Sequence, residues 1–521
     1  MQAAYDLSLG KMAEPCDFET AIAQTGFGWF NIMLLAAAFL SAMVCVFDTT
    51  AMAYVIPLSQ CDLKLSSIDK GALNAIGYAG LISSSLLWGS VSDMIGRIKL
   101  LRVALLIDGI LAFCSAFSTS LWMLLSLRFI VGFMSCTALP LTMTFVAEFH
   151  GMKYRSRCIM AVGFYLGASQ ALLPGIGLLM LTKVWEYDTG TTKLHPWHVF
   201  VMVSSVPALL GAVVFSLLPE TPKFLMAQGR NEEALAVMRK MYATNTRINP
   251  DTYPVESLVV ENAGGFHSPE DGAASVKVLL TRVLTGCQQV PLLFTTDLVR
   301  YTVLVLFIEG CALLSLNTVR LWLPQLFTTL EEFYEAQRLS GNSTPVYMCD
   351  ALTAHRIQKN CLTTTVVPLT TEGHNGGAAT GGSCKPYLTN ERVYINSMIV
   401  CSIPAVVVGL SSILVRLLDY KRVVILCCLL SSVFCMSVLW STGWVTTVAL
   451  FTTYLANVNI VCTCVLGAVA TIFPTKLRAT AVSITMMSGY ISALIGNLMF
   501  PLVMELGCEV PFYLIASTLF G

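Results

Sequence analysis

Charge is scarce in this chain. Asp, Glu, Lys and Arg make up 12% of its 521 residues while 55% are hydrophobic, against roughly 25% charged residues in an ordinary soluble protein. A soluble fold has nowhere to place that much apolar surface. Neither sign is in surplus, with 31 basic and 31 acidic residues, so nothing draws the chain to nucleic acid and the charges matter by position. Nucleotide and metal chemistry are also missing. No G-x-x-x-x-G-K-[ST] loop is present to cradle ATP and no spaced Cys or His set to bind zinc, while His195 and His198 form only a weak pair at a membrane boundary. The reading is therefore not an enzyme, with no cofactor and no metal. No cleavable signal precedes the first apolar run, since Lys11, Glu14, Asp17 and Glu19 interrupt the start of the chain.

Long apolar runs dominate what is there. A membrane-spanning helix needs about 20 predominantly apolar residues because its backbone must satisfy itself in lipid. Spans are predicted at 29–57, 71–91, 100–119, 121–145, 157–182, 198–218, 301–327, 393–416, 421–440, 443–471, 479–504 and 508–521. The last is too short to cross, which predicts a truncated final helix and a chain that continues past Gly521. Loop charges set the orientation. Arg97, Lys99, Arg102, Lys153, Arg155, Arg157, Arg416, Lys421, Arg422, Lys476 and Arg478 lie in the loops of one side, against Lys64, Lys70, Lys183 and Lys193 on the other. The N-terminus is thereby expected in the cytoplasm. The fold class is an all-α membrane protein with a cytoplasmic tail (1–28), a six-helix bundle (29–218), a cytoplasmic central loop (219–300) and a second bundle (301–521) that carries a lumenal loop (328–392).

An internal repeat supports two halves. The loop after the second span reads Gly89-Ser-Val-Ser-Asp93-Met-Ile-Gly96-Arg97-Ile-Lys99, and the loop after the eighth echoes it with Asp419, Lys421 and Arg422, the two aspartates 326 positions apart. Glu148 and Arg155 after the fourth span match Thr471 and Arg478 after the tenth, at an offset of 323.

These motifs carry a resemblance. The G-x-x-x-D-x-x-G-R segment, Arg128-Phe129-x-x-Gly132, Glu148 with Arg155, and Pro219-Glu220-Thr221-Pro222-Lys223 resemble the signature loops of the major facilitator superfamily, sugar-porter side. Trp197 to Val201, Gly229-Arg230-Asn231-Glu232-Glu233-Ala234, Thr244-Asn245-Thr246-Arg247 and Leu321-Trp322-Leu323-Pro324 are similar to the synaptic vesicle glycoprotein group within it. The resemblance implies the major facilitator fold and alternating access. It also implies a cytoplasmic gate latched by loop charges, here Asp93, Arg97, Glu148, Arg155, Glu220 and Arg478, with Gly89 and Gly96 permitting tight turns and close helix approach. The location implied is the plasma membrane or a secretory or synaptic-type vesicle. Two features depart from the group. Of two acids three positions apart in its first span only Asp48 is kept, after Cys45, and the tryptophan and aspartate of its tenth span are Cys462 and Leu466. The group's ligand pocket is therefore only partly present, with Trp322 its clearest survivor.

Five charges fall inside predicted spans: Asp48, Asp108, Arg128, Glu309 and Arg320. Such residues face a cavity or a partner because lipid tolerates them poorly. Asp48 and Arg128 lie at one depth, about 7–8 Å from the midplane at roughly 1.5 Å rise per residue, and are expected to meet or to converge on one solute. Asp108 and Glu309 have no evident partner in sequence. Arg320 is expected to snorkel to the lumenal interface. Asp48, Arg128, Glu309 and Trp322 thus form the candidate solute cavity. Most of the eighteen cysteines sit in apolar spans, where a thiol acts as a small hydrophobe. Cys61, Cys349, Cys361 and Cys384 face the lumen and admit three pairings. Asn342-Ser343-Thr344 fits a glycan acceptor, and the Gly-rich run from Gly373 to Gly382 reads as a flexible stretch. The expected function is transport of a small organic solute, passive or coupled to protons, in the lipid bilayer. The alternative is a weakly transporting, vesicle-type protein that acts in ligand binding or trafficking. No protein partner is implied.

Overall fold

The computed structural model describes residues 15–183, 185–188, 193–259, 290–296, 298–340, 346–354 and 390–520. Helix dominates, as a lipid-facing backbone requires. A short α1 (Phe18–Gln24) precedes α2 (Trp29–Ser59), α3 (Ser67–Ile95), α4 (Arg97–Ser115), α5 (Leu121–Ser135), α6 (Ala138–Phe149), α7 (Met152–Met180) and α8 (Pro196–Leu217). Between α7 and α8 lies a two-stranded antiparallel ladder, β1 (Tyr187–Asp188) and β2 (Lys193–Leu194). The connection to the second half contains α9 (Pro222–Ala227) and α10 (Asn231–Thr246). The second half contains α11 (Val299–Leu339), α12 (Glu391–Ser437), α13 (Trp444–Ile472), α14 (Thr475–Leu506) and α15 (Glu509–Phe520).

Nine spans among the described residues are long and apolar enough to cross a membrane, counting α5–α6 as one and α12 as two. With α3, α4 and the shorter α15 they form two bundles of six. The span predicted at 121–145 is broken after Ser135 because Pro140 has no N–H to give and its ring crowds the carbonyl four residues back. α12 holds two antiparallel spans that turn at Asp419 (φ 65°), and Gly96 (φ 108°) makes the corresponding turn between α3 and α4. These two left-handed residues are 323 positions apart, one of the repeat offsets seen in the sequence. α11 continues to Leu339, so the start of the loop expected at 328–392 is helical.

Within the first bundle α4 packs on α8 and α3 on α5. A Cβ on Gly132 would run into the Gly77 carbonyl and one on Gly80 into the Phe129 carbonyl, so α3 and α5 meet backbone to backbone. The two bundles touch along a seam of three helix pairs, α2 with α11, α3 with α14 and α7 with α12.

Two ties close the ends. On the face opposite the N-terminus, Cys349 is disulfide-bonded to Cys508 at the start of α15, and Cys61 is also disulfide-bonded. Cys508, read in sequence as the edge of the last span, thus joins the oxidised set and corrects the four-cysteine grouping, while Cys361 and Cys384 lie outside the described residues. On the N-terminal face the chain start is strapped to the segment after α10. The Cys16 N–H donates to the Ser257 carbonyl (3.0 Å), the Val259 N–H to the Cys16 carbonyl (2.9 Å) and the Tyr253 hydroxyl to the Ala21 carbonyl (2.6 Å). Asn245 is the knot. Its Oδ1 accepts from the Phe30 N–H (3.0 Å), and its Nδ2 donates to the Thr25 carbonyl (3.0 Å) and to Asn31 Oδ1 (2.9 Å).

Asn245→Ala leaves the Phe30 N–H and the Thr25 carbonyl without their side-chain partner at a helix entrance, while Asn31 Oδ1 keeps the Gly28 N–H. It should destabilise the protein by about 1–3 kcal/mol in denaturation of the purified protein. Asn249→Ala, which loses one exposed turn bond, should stay within about 0.5 kcal/mol. Equal effects would show that Asn245 is not the knot.

Candidate functional site

The predicted gate residues separate into a clamp and several outliers. Gly96 holds a φ that L side chains rarely adopt, and a Cβ there would lie 2.5 Å from Glu220 Oε2. That space lets Glu220 cap α4. Its Oε1 accepts from the Arg97 and Ile98 N–H groups (3.0 Å each) and its Oε2 from the Lys99 N–H (3.2 Å), placing a negative charge at the positive end of the helix dipole. The Arg97 side chain then pairs with Glu148 (3.2 Å), whose other oxygen accepts from the Thr221 hydroxyl (2.7 Å). The Arg97 guanidinium also lies over the Phe224 ring, 5.7 Å from its centroid. The loop after α3, the end of α6 and the segment after α8 are tied in this way. Arg155 goes elsewhere. Its Nη2 contacts both Glu19 oxygens (2.8 and 2.9 Å) and its Nε the Ala147 and His150 carbonyls (2.8 and 3.1 Å). Beside it, burial pulls His150 below its ordinary range. These contacts all lie in the first half and its N-terminal strap. Arg478 is exposed in α14, and the Asp93 side chain and Asn342 lie outside the described residues. Gly89 corrects an expectation: a Cβ there meets nothing within 4 Å, so no close approach depends on it.

Inside the first bundle, Asp48 on α2 and Arg128 on α5 come into one cluster with Asp108 on α4. The charges of Asp48, Asp108 and Arg128 act on one another, and Asp48 lies beside Ser135. Asp108 is 0% exposed and Arg128 3%. Both Asp108 oxygens, Asp48 Oδ2 and Arg128 Nε and Nη2 are buried without a hydrogen-bond partner. Two acids therefore share one cation, and only a proton gives the two carboxyls a bond to each other.

The other two cavity candidates do not join them. Glu309 on α11 is 0% exposed with both oxygens unpartnered. Trp322 stacks on Phe500 (centroids 5.1 Å apart) and lines a cavity of about 250 Å³ with Gln325, Phe500 and Pro501. Arg320 departs from its expected snorkelling position. Its side chain turns into the seam. There its Nη2 donates to Asn317 Oδ1 (2.7 Å) and reaches the Tyr78 hydroxyl (3.5 Å), which itself donates to Asn317 Oδ1 (3.0 Å). A second cavity, about 400 Å³, opens between α7, α12 and α13 and is lined by Gly163, Gln170, Ala405, Val408, Asn459 and Thr463.

The family model for "Sugar (and other) transporter" matches residues 19–288. Rat synaptic vesicle glycoprotein 2B is 29% identical over 239 residues, 44% of this chain and 34% of that protein. Rat synaptic vesicle glycoprotein 2A is 28% identical over the same length, 31% of its own. The chain thus spans about a third of the length of the curated relatives it matches. Among solved structures, the inward-open xylose transporter XylE from E. coli aligns at a TM-score of 0.63 with 14% identity, covering 94% of each chain. A point mutant of the nucleoside transporter NupG aligns at 0.54 with 11% identity, covering 94% of this chain and 97% of its own. These likenesses establish the major facilitator fold.

The two glycines separate turn geometry from simple flexibility. Gly96→Ala should destabilise the protein by about 1–2 kcal/mol from its left-handed φ alone, with the displaced Glu220 cap adding to that. Gly89→Ala, mid-helix and in open space, should be neutral or stabilising by up to about 1 kcal/mol. Thermal unfolding of the two variants measures both, and the reverse order would refute the cap geometry.

Proposed function

Because this multi-pass membrane chain belongs to the sugar (and other) transporter family, we propose that it carries a small organic solute across the bilayer by alternating access between its two bundles. The observation that carries this reading is the cavity of about 400 Å³ lined by α7 of one half and α12 and α13 of the other. A space shared by two halves in contact along three helix pairs changes its access when they rock. Asp48, Asp108 and Arg128 supply the coupling group, binding a proton in one orientation and releasing it in the other. Glu309 and Trp322 are second-half contributors to the path. The Glu220 cap and the Arg97–Glu148 pair hold the first half's helix ends together as a unit, with Asp93, Arg155 and Arg478 completing the gate face. In this reading the N-terminus is cytoplasmic, the boundaries fall near 28, 218 and 300, and Asn342 is glycosylated on the lumenal side.

A second reading, binding or trafficking with little flux, draws on the apolar replacements at Cys462 and Leu466 in α13. Uptake in proteoliposomes against a panel of sugars, organic acids and amines, with and without a pH gradient, decides between them. The transporter reading predicts saturable uptake of at least one class, faster with a proton gradient. No uptake of any class refutes it. Asp48→Asn should abolish gradient-driven uptake, because one carboxyl alone no longer exchanges its proton beside Arg128. Asp48→Asn with Arg128→Gln should restore expression but not driven uptake. Recovery of driven uptake in that double variant would make the cluster purely structural.

A further inference from the structure

Arg320 is a charge whose partners are all neutral. Several arginines of the described chain have acids, Arg97 with Glu148, Arg155 with Glu19, and Arg128 with Asp48 and Asp108, whereas Arg102 donates to the Phe215 carbonyl near the start of α4. Among the described residues, Arg320 has only the Asn317 amide oxygen and the Tyr78 hydroxyl as acceptors, and its Nε is buried without one. Asn317 and Tyr78 are themselves 5% and 3% exposed. They hold the guanidinium in place without neutralising it. The nearest acids on its own helix, Glu309 and Glu331, are each three turns away, about 16 Å along the axis at roughly 1.5 Å per residue.

The position is central. Tyr78 belongs to α3 of the first half and Arg320 to α11 of the second, so the network bridges the seam. The Arg320 charge also reaches Cys45 and Tyr54 on α2, Cys401 on α12 and Cys462 on α13. Arg320 itself is only half-buried. Asn317 and Tyr78 bond Nη2 alone, leaving Nε buried without an acceptor and the charge without an acid among the described residues. A guanidinium presents a planar fork that matches a carboxylate through two parallel N–H bonds, and it does so most strongly where water is scarce.

We propose that Arg320 binds the negatively charged group of the solute, which is a small organic carboxylate, with Tyr78 and Asn317 orienting the fork. The proposal rests on the transporter reading for the word solute but not for the site itself. It also gives the acid cluster a purpose, since a monoanion carried with one proton crosses as a neutral load.

The test uses the purified full-length chain and probes matched in shape: benzoate, benzamide and benzylamine, then lactate and lactamide, with sodium chloride as the inorganic control. Benzoate or lactate should raise the unfolding temperature saturably, as a ligand specific to the folded state does. The amides, the amine and chloride should not. Arg320→Gln should remove the shift, and Arg320→Lys, which keeps the charge but not the fork, should weaken carboxylate binding about tenfold. Should Arg320→Gln fail to fold, Arg320→Lys and Tyr78→Phe carry the same comparison. Three outcomes overturn the proposal: no carboxylate stabilises the native chain, the shift persists undiminished in the variants, or benzylamine or chloride stabilises in its place. Uptake of the same probes separates the two readings. Carboxylate binding without uptake removes the transporter and leaves the site, whereas uptake of a neutral sugar that is unchanged by Arg320→Gln removes the site and leaves the transporter.

Discussion

A charge at the centre of a membrane helix costs about 2.5–3.5 kcal/mol on insertion scales, and the way each intramembrane charge meets that cost organises this molecule. Asp48, Asp108 and Arg128 meet it together, from three helices of one bundle. Arg320 meets it in part, through the neutral dipoles of Asn317 and Tyr78. Glu309 has no partner among the described residues. Compensation is thus partial in the first-half cluster and at Arg320, and absent at Glu309 among the described residues. Groups left incompletely paired in the interior are the ones a moving solute or proton has reason to visit.

Rigidity is built at the helix ends, not in the middle. The Glu220 cap on α4, the Arg97–Glu148 pair, the Arg155–Glu19 contact and the Asn245 knot join the N-terminal strap, four helix ends and the segment after α8. Backbone-to-backbone packing at Gly80 and Gly132 fixes α3 against α5 within the same half. The seam itself carries small and aromatic contacts such as the stacked pair Tyr54 and Tyr394, with centroids 6.1 Å apart. The seam is close-packed too, since a Cβ on Gly71 of α3 would lie 2.9 Å from the Asn497 carbonyl of α14, so a rocking motion slides these packed faces past one another.

The helical spans were legible in the sequence because lipid imposes length and apolarity on each segment separately, and the repeat was legible because its loop motifs recur at nearly one offset, 326 and 323. The clamp residues Arg97, Glu148 and Glu220 were also visible, through loop motifs. Their partners were less so: Glu19 and Thr221 are distant in sequence, and no periodicity links them to Arg155 or Glu148. The same limit hid Asp108 as the neighbour of Asp48. Arg320 was misplaced because depth along a helix does not say which way a side chain turns, and its partner Tyr78 lies 242 positions away. Cys508 was missed because it sits against an apolar run that masks its position at a helix boundary. Gly89 was over-read, since a motif glycine in a mid-helix position has nothing near it to accommodate.

The central claim is that two rigid halves rock about the seam. Distances between spin labels test it most directly, with one pair at Met152 and Ile472 on the N-terminal face and another at Trp122 and Trp440 on the opposite face, all exposed positions, in a background lacking the exposed Cys114. In lipid nanodiscs the account predicts two populations for each pair. As pH is lowered through the range in which the acid cluster takes up a proton, one pair should lengthen while the other shortens. A single unchanging distance for both pairs, or two pairs that lengthen together, would contradict it.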